Sequence, residues 1–136
     1  MPPAREAVGA SAVSTQSGSH VEAADSGLSA WATTWVQQAL GEPTAIQREA
    51  WPVLATGQDA VLIAPTGSGK TLAAFLAALD SLAHTPPADR KRVLYISPLK
   101  ALASDIERNL RSPLIGLEQI AARSGVTIPP ISVGIR

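Results

Sequence analysis

The sequence predicts an α/β fold, a parallel sheet with flanking helices, and three observations carry that prediction. Residues 60–72 pass from the β-branched run Ala60-Val61-Leu62-Ile63 into a glycine-rich turn and then into a helical pattern. Two further extended runs, Val93–Ile96 and Ile131–Ile135, alternate with segments of helical spacing. Strand, helix, strand, helix, strand in that order implies right-handed crossovers and helices on the faces of a parallel sheet.

The elements follow in order. Residues 1–27 are rich in Ala, Ser, Gly and Thr without periodicity, and are expected to be a disordered tail; a mis-set translation start would also produce such a stretch. From Leu28 the pattern changes. Leu28, Trp31, Ala32, Trp35, Val36, Ala39 and Leu40 share one helical face, and Gly41 suits the stop. Core packing explains Trp31 and Trp35; a surface on which a base stacks is the alternative. Thr44 and Gln47 fit a capping box for a helix running to about Thr56, which Pro52 would kink or weaken. Gly57-Gln58-Asp59 turns the chain into the first strand.

After the glycine-rich turn, Leu72, Phe75, Leu76, Leu79 and Leu82 or Ala83 mark a helix with a wide apolar face. Thr85–Asp89 ends it. Arg90-Lys91-Arg92 reads as a solvated loop edge. Val93–Ile96 is expected as a second strand, buried in a parallel sheet. Ser97 then serves as N-cap and Pro98 as first residue of a helix whose buried face is Leu99, Leu102, Ala103, Ile106 and Leu110. A further helix is expected over residues 113–124, and a third strand over Ile131–Ile135.

Composition excludes several classes. Eleven basic and 11 acidic residues give a net charge of zero, so no whole-chain electrostatic argument for nucleic acid or membrane exists. There is no Cys, hence no disulfide framework and no thiolate metal site. His20 and His84 are isolated and read as solvated loop residues. The longest apolar run, Leu72–Leu79, is eight residues, too short to span a bilayer. The start lacks a basic-then-apolar signal pattern. No membrane partner and a cytoplasmic location are expected.

The most informative residues are Ala64-Pro65-Thr66-Gly67-Ser68-Gly69-Lys70-Thr71. A strand, a glycine-rich turn ending in Gly-Lys-Thr, and a helix form the context of a phosphate-binding loop. Gly67 and Gly69 can adopt positive φ and let the backbone approach a ligand. Successive amides then form a nest for phosphate oxygens, and the helix start adds its dipole. Lys70 would reach the β- and γ-phosphates of ATP, and the Thr71 hydroxyl would ligate Mg²⁺. Ala64 stands where the general pattern has Gly. Ligands of parallel sheets bind at the carboxyl ends of the strands, which puts Gly67–Thr71 and Ser97–Lys100 at one expected edge.

Three segments in fixed order, Pro43–Gln47, Ala64–Thr71 and Ser97–Leu102, resemble the opening of a superfamily 2 DEAD/DEAH (DExH)-box helicase. The first looks like the Q motif, the second like motif I, which in this family begins with Ala, and the third like motif Ia. Trp51-Pro52, Leu72–Leu76 and Tyr95–Leu102 are most similar to the large helicase-related (Lhr) branch. The resemblance covers residues 28–136 and implies the N-terminal portion of a RecA-like P-loop NTPase domain, incomplete before the DExH motif.

It also implies roles. Gln47 would hydrogen-bond the adenine edge; its other reading is the capping box. Ala64–Thr71 would hold ATP and Mg²⁺. Ser97, Pro98, Leu99, Lys100 and Ala101 would lie against the phosphates of a single strand of DNA or RNA, or else form a capped helix with an exposed Lys. No Asp-Glu pair follows any strand, and in such enzymes that pair would hold Mg²⁺ and orient the attacking water. This piece alone is therefore expected to bind ATP without hydrolysing it. Lacking the strand that bears the pair, Val61–Ile63 would expose an unpaired edge, so marginal stability or aggregation is expected. A small P-loop kinase or another NTPase shares the phosphate loop but leaves Gln47 and Ser97–Leu102 unexplained. A non-catalytic remnant of a split gene is the remaining alternative.

Overall fold

The computed structural model describes residues 7–9, 26–89, 92–98 and 100–134, with the backbone alone at 7–9, 87 and 100–104. Its element order is β1 (Ala7–Gly9), α1 (Ala30–Ala39), α2 (Ala45–Ala55), β2 (Val61–Ile63), α3 (Lys70–Ala83), a 3₁₀ turn (Pro87–Asp89) and α4 (Lys100–Arg123). Four helices dominate; β1 and β2 pair in parallel, Ala7 opposite Val61 and Gly9 opposite Ile63.

The first three helices form where local chemistry dictates. Ser29 caps α1 by accepting from the Ala32 amide at 3.2 Å. The amides of Leu40 and Gly41 close back on the Val36 carbonyl, and Gly41 has φ +78°. The capping box of α2 forms, with the Thr44 amide donating to Gln47 Oε1 at 3.0 Å. Pro52 lies inside α2 without ending it. β2 leads through the loop to α3.

One core joins the helices. Trp31, Ala32, Trp35 and Val36 of α1 pack with Trp51 of α2, Phe75, Leu76 and Leu79 of α3, and Leu110, Leu117, Ile120 and Ala121 of α4. Both α1 tryptophans are core residues, so the base-stacking alternative falls. Gly116 is glycine because a Cβ there would run into the Trp35 indole. Ala39 and Leu40, at the end of the α1 stripe, are exposed.

One polar network lies within this packing. Asp80 is buried on α3, and its carboxylate accepts from the Ser29 amide at 2.9 Å and the Ser29 hydroxyl at 2.5 Å. Ser29 thus caps α1 while tethering it to α3. His84 lies against the same carboxylate at 3.6 Å and stacks on Trp31, ring centroids 5.4 Å apart. It is more than a solvated loop residue, because the α3 terminus brings it onto α1.

Four expectations are corrected. Residues 1–27 are not uniformly without structure, since Ala7–Gly9 forms β1; the rest of that tail up to residue 25, with His20, lies outside the described residues. Val93–Ile96 is not a strand, and no third strand forms over residues 131–134; Ile135 lies outside the described residues. A strand needs a neighbour to complete its ladder, which β-branched composition alone does not supply. The described partner of β2 is β1. The two helices expected over residues 97–110 and 113–124 are replaced by one, α4 (Lys100–Arg123), with Pro113 inside it. Finally, α4 starts at Lys100, so Ser97 is not its N-cap and Pro98 not its first residue. Of the basic run, Arg92 is exposed and Arg90 and Lys91 lie outside the described residues.

Candidate nucleotide-binding site

The loop between β2 and α3 has the backbone a phosphate nest requires. The Ser68 amide bonds the Pro65 carbonyl at 3.2 Å, closing a tight turn. Gly67 and Gly69 take φ of +80° and +89°. Gly69 is the N-cap of α3 and brings no side chain to accept from the amides of the first turn. The first turn of α3 has no acidic residue. Amide hydrogens and a helix dipole with no competing carboxylate are the features that would suit an anion here.

Lys70 is half-buried, and its ammonium donates to the carbonyls of Ala64 and, at 3.4 Å, Pro65. The loop's cation is therefore held over the loop's own backbone. Thr66, Gly67 and Thr71 are exposed, so the Thr71 hydroxyl can be reached from solvent. Ser68 Oγ is buried without a hydrogen-bond partner among the described residues. A buried hydroxyl left unpaired is costly, and an acceptor in the nest would satisfy it.

The loop opens onto a cleft of about 500 Å³. Thr66–Leu72 form one wall; Phe75, Ile106, Asn109 and Leu110 line the rest. Asn109 and its neighbours were not expected here. Their register on α4 follows from the packing of Leu110 into the core, which sequence spacing alone could not aim at the loop.

Gln47 reaches the site from behind. It is 4% exposed, and both ends of its amide are engaged. Oε1 accepts from the Thr44 amide, and Nε2 donates to the Gly69 carbonyl at 3.3 Å. The capping-box reading is the arrangement seen. The amide keeps a second N–H and a second lone pair for other partners. A Cβ at position 69 would stand 2.5 Å from Gln47 Nε2, so Gly69 is needed for space as well as for φ.

Ser97 and Pro98 are not among the described residues lining this cleft. Ser97 is half-buried, its Oγ without a hydrogen-bond partner among the described residues, and Pro98 is exposed. Leu99 and the side chains of Lys100 and Ala101 lie outside the described residues. With Val93–Ile96 outside the sheet, the expected common sheet edge for the two segments does not form.

A glycine-rich loop between a parallel strand and a helix, tied to a capping-box glutamine, is the α/β arrangement on which a nucleotide site would be built. Residues 44–130 match the DEAD/DEAH box helicase family, and the chain belongs to that family. It is 51% identical over 111 residues to the Lhr helicase/probable uracil glycosylase of Mycolicibacterium smegmatis, covering 80% of this chain and 7% of that protein. It is 47% identical to the Lhr helicase/uracil glycosylase of Escherichia coli, covering 75% of this chain and 7% of the relative. The solved structure of Mycobacterium smegmatis helicase Lhr bound to ssDNA and AMP-PNP superposes with a TM-score of 0.72 at 50% identity. That match covers 80% of this chain and 14% of the solved one. The chain thus spans only a small part of the relatives it matches.

Proposed function

We propose that this chain is the ATP-binding segment of an ATP-dependent nucleic-acid helicase. The observation that carries the reading is the empty-handed N-terminus of α3, with Gly69 at its cap and Lys70 and Thr71 in its first turn. The amides around Gly67–Thr71 bind the anionic phosphates, with Ala64–Thr66 forming the rest of the cradle. Lys70 exchanges its carbonyl partners for β- and γ-phosphate oxygens, a stronger charge-assisted pairing. The Thr71 hydroxyl holds Mg²⁺, and Gln47 reads adenine with the N–H and lone pair that Thr44 and Gly69 leave free. A solved relative's description as bound to AMP-PNP and ssDNA supports these roles.

Ser97–Ala101 contacts the phosphates of a single strand, with Lys100 adding a salt-sensitive charge contact. The 136 residues contain no Asp-Glu pair, so this chain takes up ATP·Mg²⁺ and leaves hydrolysis to residues it does not carry. Among the described residues no helix is long and apolar enough to cross a membrane; a cytoplasmic setting fits a nucleic-acid partner. The test is nucleotide affinity measured with and without single-stranded DNA or RNA. The reading expects an affinity that changes when the strand is added. A nucleotide affinity indifferent to both strands would favour a small P-loop kinase or other NTPase.

A further inference from the structure

Helix α2 holds α3 by two side chains one turn apart. Gln47 Nε2 donates to the Gly69 carbonyl at 3.3 Å, and Trp51 Nε1 donates to the Ala73 carbonyl at 3.1 Å. Both bonds span 22 residues, so donors at i and i+4 on α2 meet acceptors at j and j+4 on α3. The two acceptors are consecutive in the helix ladder, because the Ala73 amide itself bonds the Gly69 carbonyl at 3.0 Å. Carbonyl oxygens carry two lone pairs, so each side-chain bond adds to the helix.

The lower bond differs from the upper. Gln47 lies beside the phosphate loop, whereas Trp51 sits one turn deeper, 2% exposed, against an Ala73 that is fully buried. An indole N–H can only donate. Here water cannot replace its acceptor, so any slide or rotation of α3 orphans a buried donor. Neighbouring chain packs closely on the Trp51 backbone: a Cβ on Gly27 would fall 2.6 Å from the Trp51 carbonyl oxygen. Trp51 is thus packed on its backbone side and bonded to α3 through its indole.

We infer that Trp51 is a positioning residue for the phosphate site, setting through the Ala73 carbonyl where the first turn of α3 presents Lys70, Thr71 and their amides. The inference rests on the nucleotide reading above. Its special consequence is selectivity. The loop end of α3 meets the terminal phosphates, so loss of the indole bond should weaken a nucleoside diphosphate more than a monophosphate. General loosening of the core weakens both alike.

Calorimetry of the whole chain with ADP·Mg²⁺ and with AMP tests it. Trp51→Phe keeps an aromatic ring and removes the N–H. It should lower ADP affinity about tenfold, the scale of one lost hydrogen bond, while AMP affinity stays within about twofold. Replacement of the Trp51 indole by benzothiophene keeps the shape, decides the matter if Trp51→Phe does not fold, and should give the same split. Leu117→Ala, a core truncation on α4 outside the described lining of the cleft, should not change the ADP-to-AMP ratio. An unchanged ratio in the Trp51 variants, or one that shifts equally in Leu117→Ala, overturns the inference alone. A parent chain that takes up neither nucleotide overturns it together with the nucleotide reading.

Discussion

The two ends of β2 meet different surroundings. Its carboxyl end runs into a loop held by Gln47, a helix pinned by Trp51 and a core closed by Trp31, Trp35 and Leu76. Around the strand itself, Val61 and Ile63 are exposed, and so is the apolar run that follows α3, with Leu94 82% and Ile96 81% accessible. In the first region, Ser29 caps α1, the Thr44–Gln47 box caps α2, and side-chain hydrogen bonds tie both helices to α3. In the second, apolar side chains stand exposed on a three-residue strand paired with β1 and on a run, Val93–Ile96, that joins no ladder. The helical half specifies itself through contacts among its own helices, whereas the sheet half calls for neighbours that local sequence cannot provide.

Breaking the self-sufficient region should have the largest effect. Leu76 is fully buried in the shared core. Leu76→Ala should cost about 2–5 kcal/mol, a large share of the ~5–15 kcal/mol available to a small domain. Urea melting should show the midpoint collapse or the cooperative transition disappear. Gly69→Ala comes next, because it opposes a φ of +89° and drives a Cβ into Gln47. Some 1–3 kcal/mol of strain is expected, read as a lower midpoint together with weaker ADP binding.

Removing the tether between α1 and α3 should be milder. Ser29→Ala deletes the N-cap hydroxyl and one of the two bonds to Asp80. A loss of about 0.5–2 kcal/mol follows from the cap, measured by the same melt, with nucleotide affinity unchanged. The smallest effect on stability is expected in the second region. Leu94→Ser with Ile96→Ser should alter unfolding free energy by no more than about 0.5 kcal/mol. The pair should nevertheless reduce self-association in light scattering, since it dilutes an exposed apolar patch. A strong destabilisation by this pair would mean that the run is packed, and the contrast between the regions would fail.

That contrast also explains what the sequence could and could not disclose. The phosphate loop, the α2 capping box and the apolar stripes of α1 and α3 were legible because each depends on residues within a turn or two. Gly41 acts on a backbone group only a few positions away, and so does Gln47 in its bond to Thr44, though not in its bond to Gly69. Asp80 was missed: it occupies the ridge Leu72, Leu76, Asp80, and nothing local shows that Ser29 waits 51 residues away. The pairing of Ala7–Gly9 with Val61–Ile63 was illegible for the same reason. Val93–Ile96 has strand composition, yet pairing is a property of two segments. Pro113 suggested a break between two helices, but Leu110, Leu117 and Ile120 lie in one core, and tertiary packing carries α4 through it. Of the site, the loop and its glutamine were readable, while the α4 wall with Asn109 depends on how whole helices dock.

The central claim is that the amides and ammonium of the loop before α3 grip a nucleotide's phosphates. Isothermal titration of ADP·Mg²⁺ into the chain and into Lys70→Ala tests it most directly. Saturable heat with one nucleotide per chain, abolished by the substitution, is the predicted result. Absence of heat in the parent chain at millimolar ADP, or undiminished affinity in Lys70→Ala, would contradict the account.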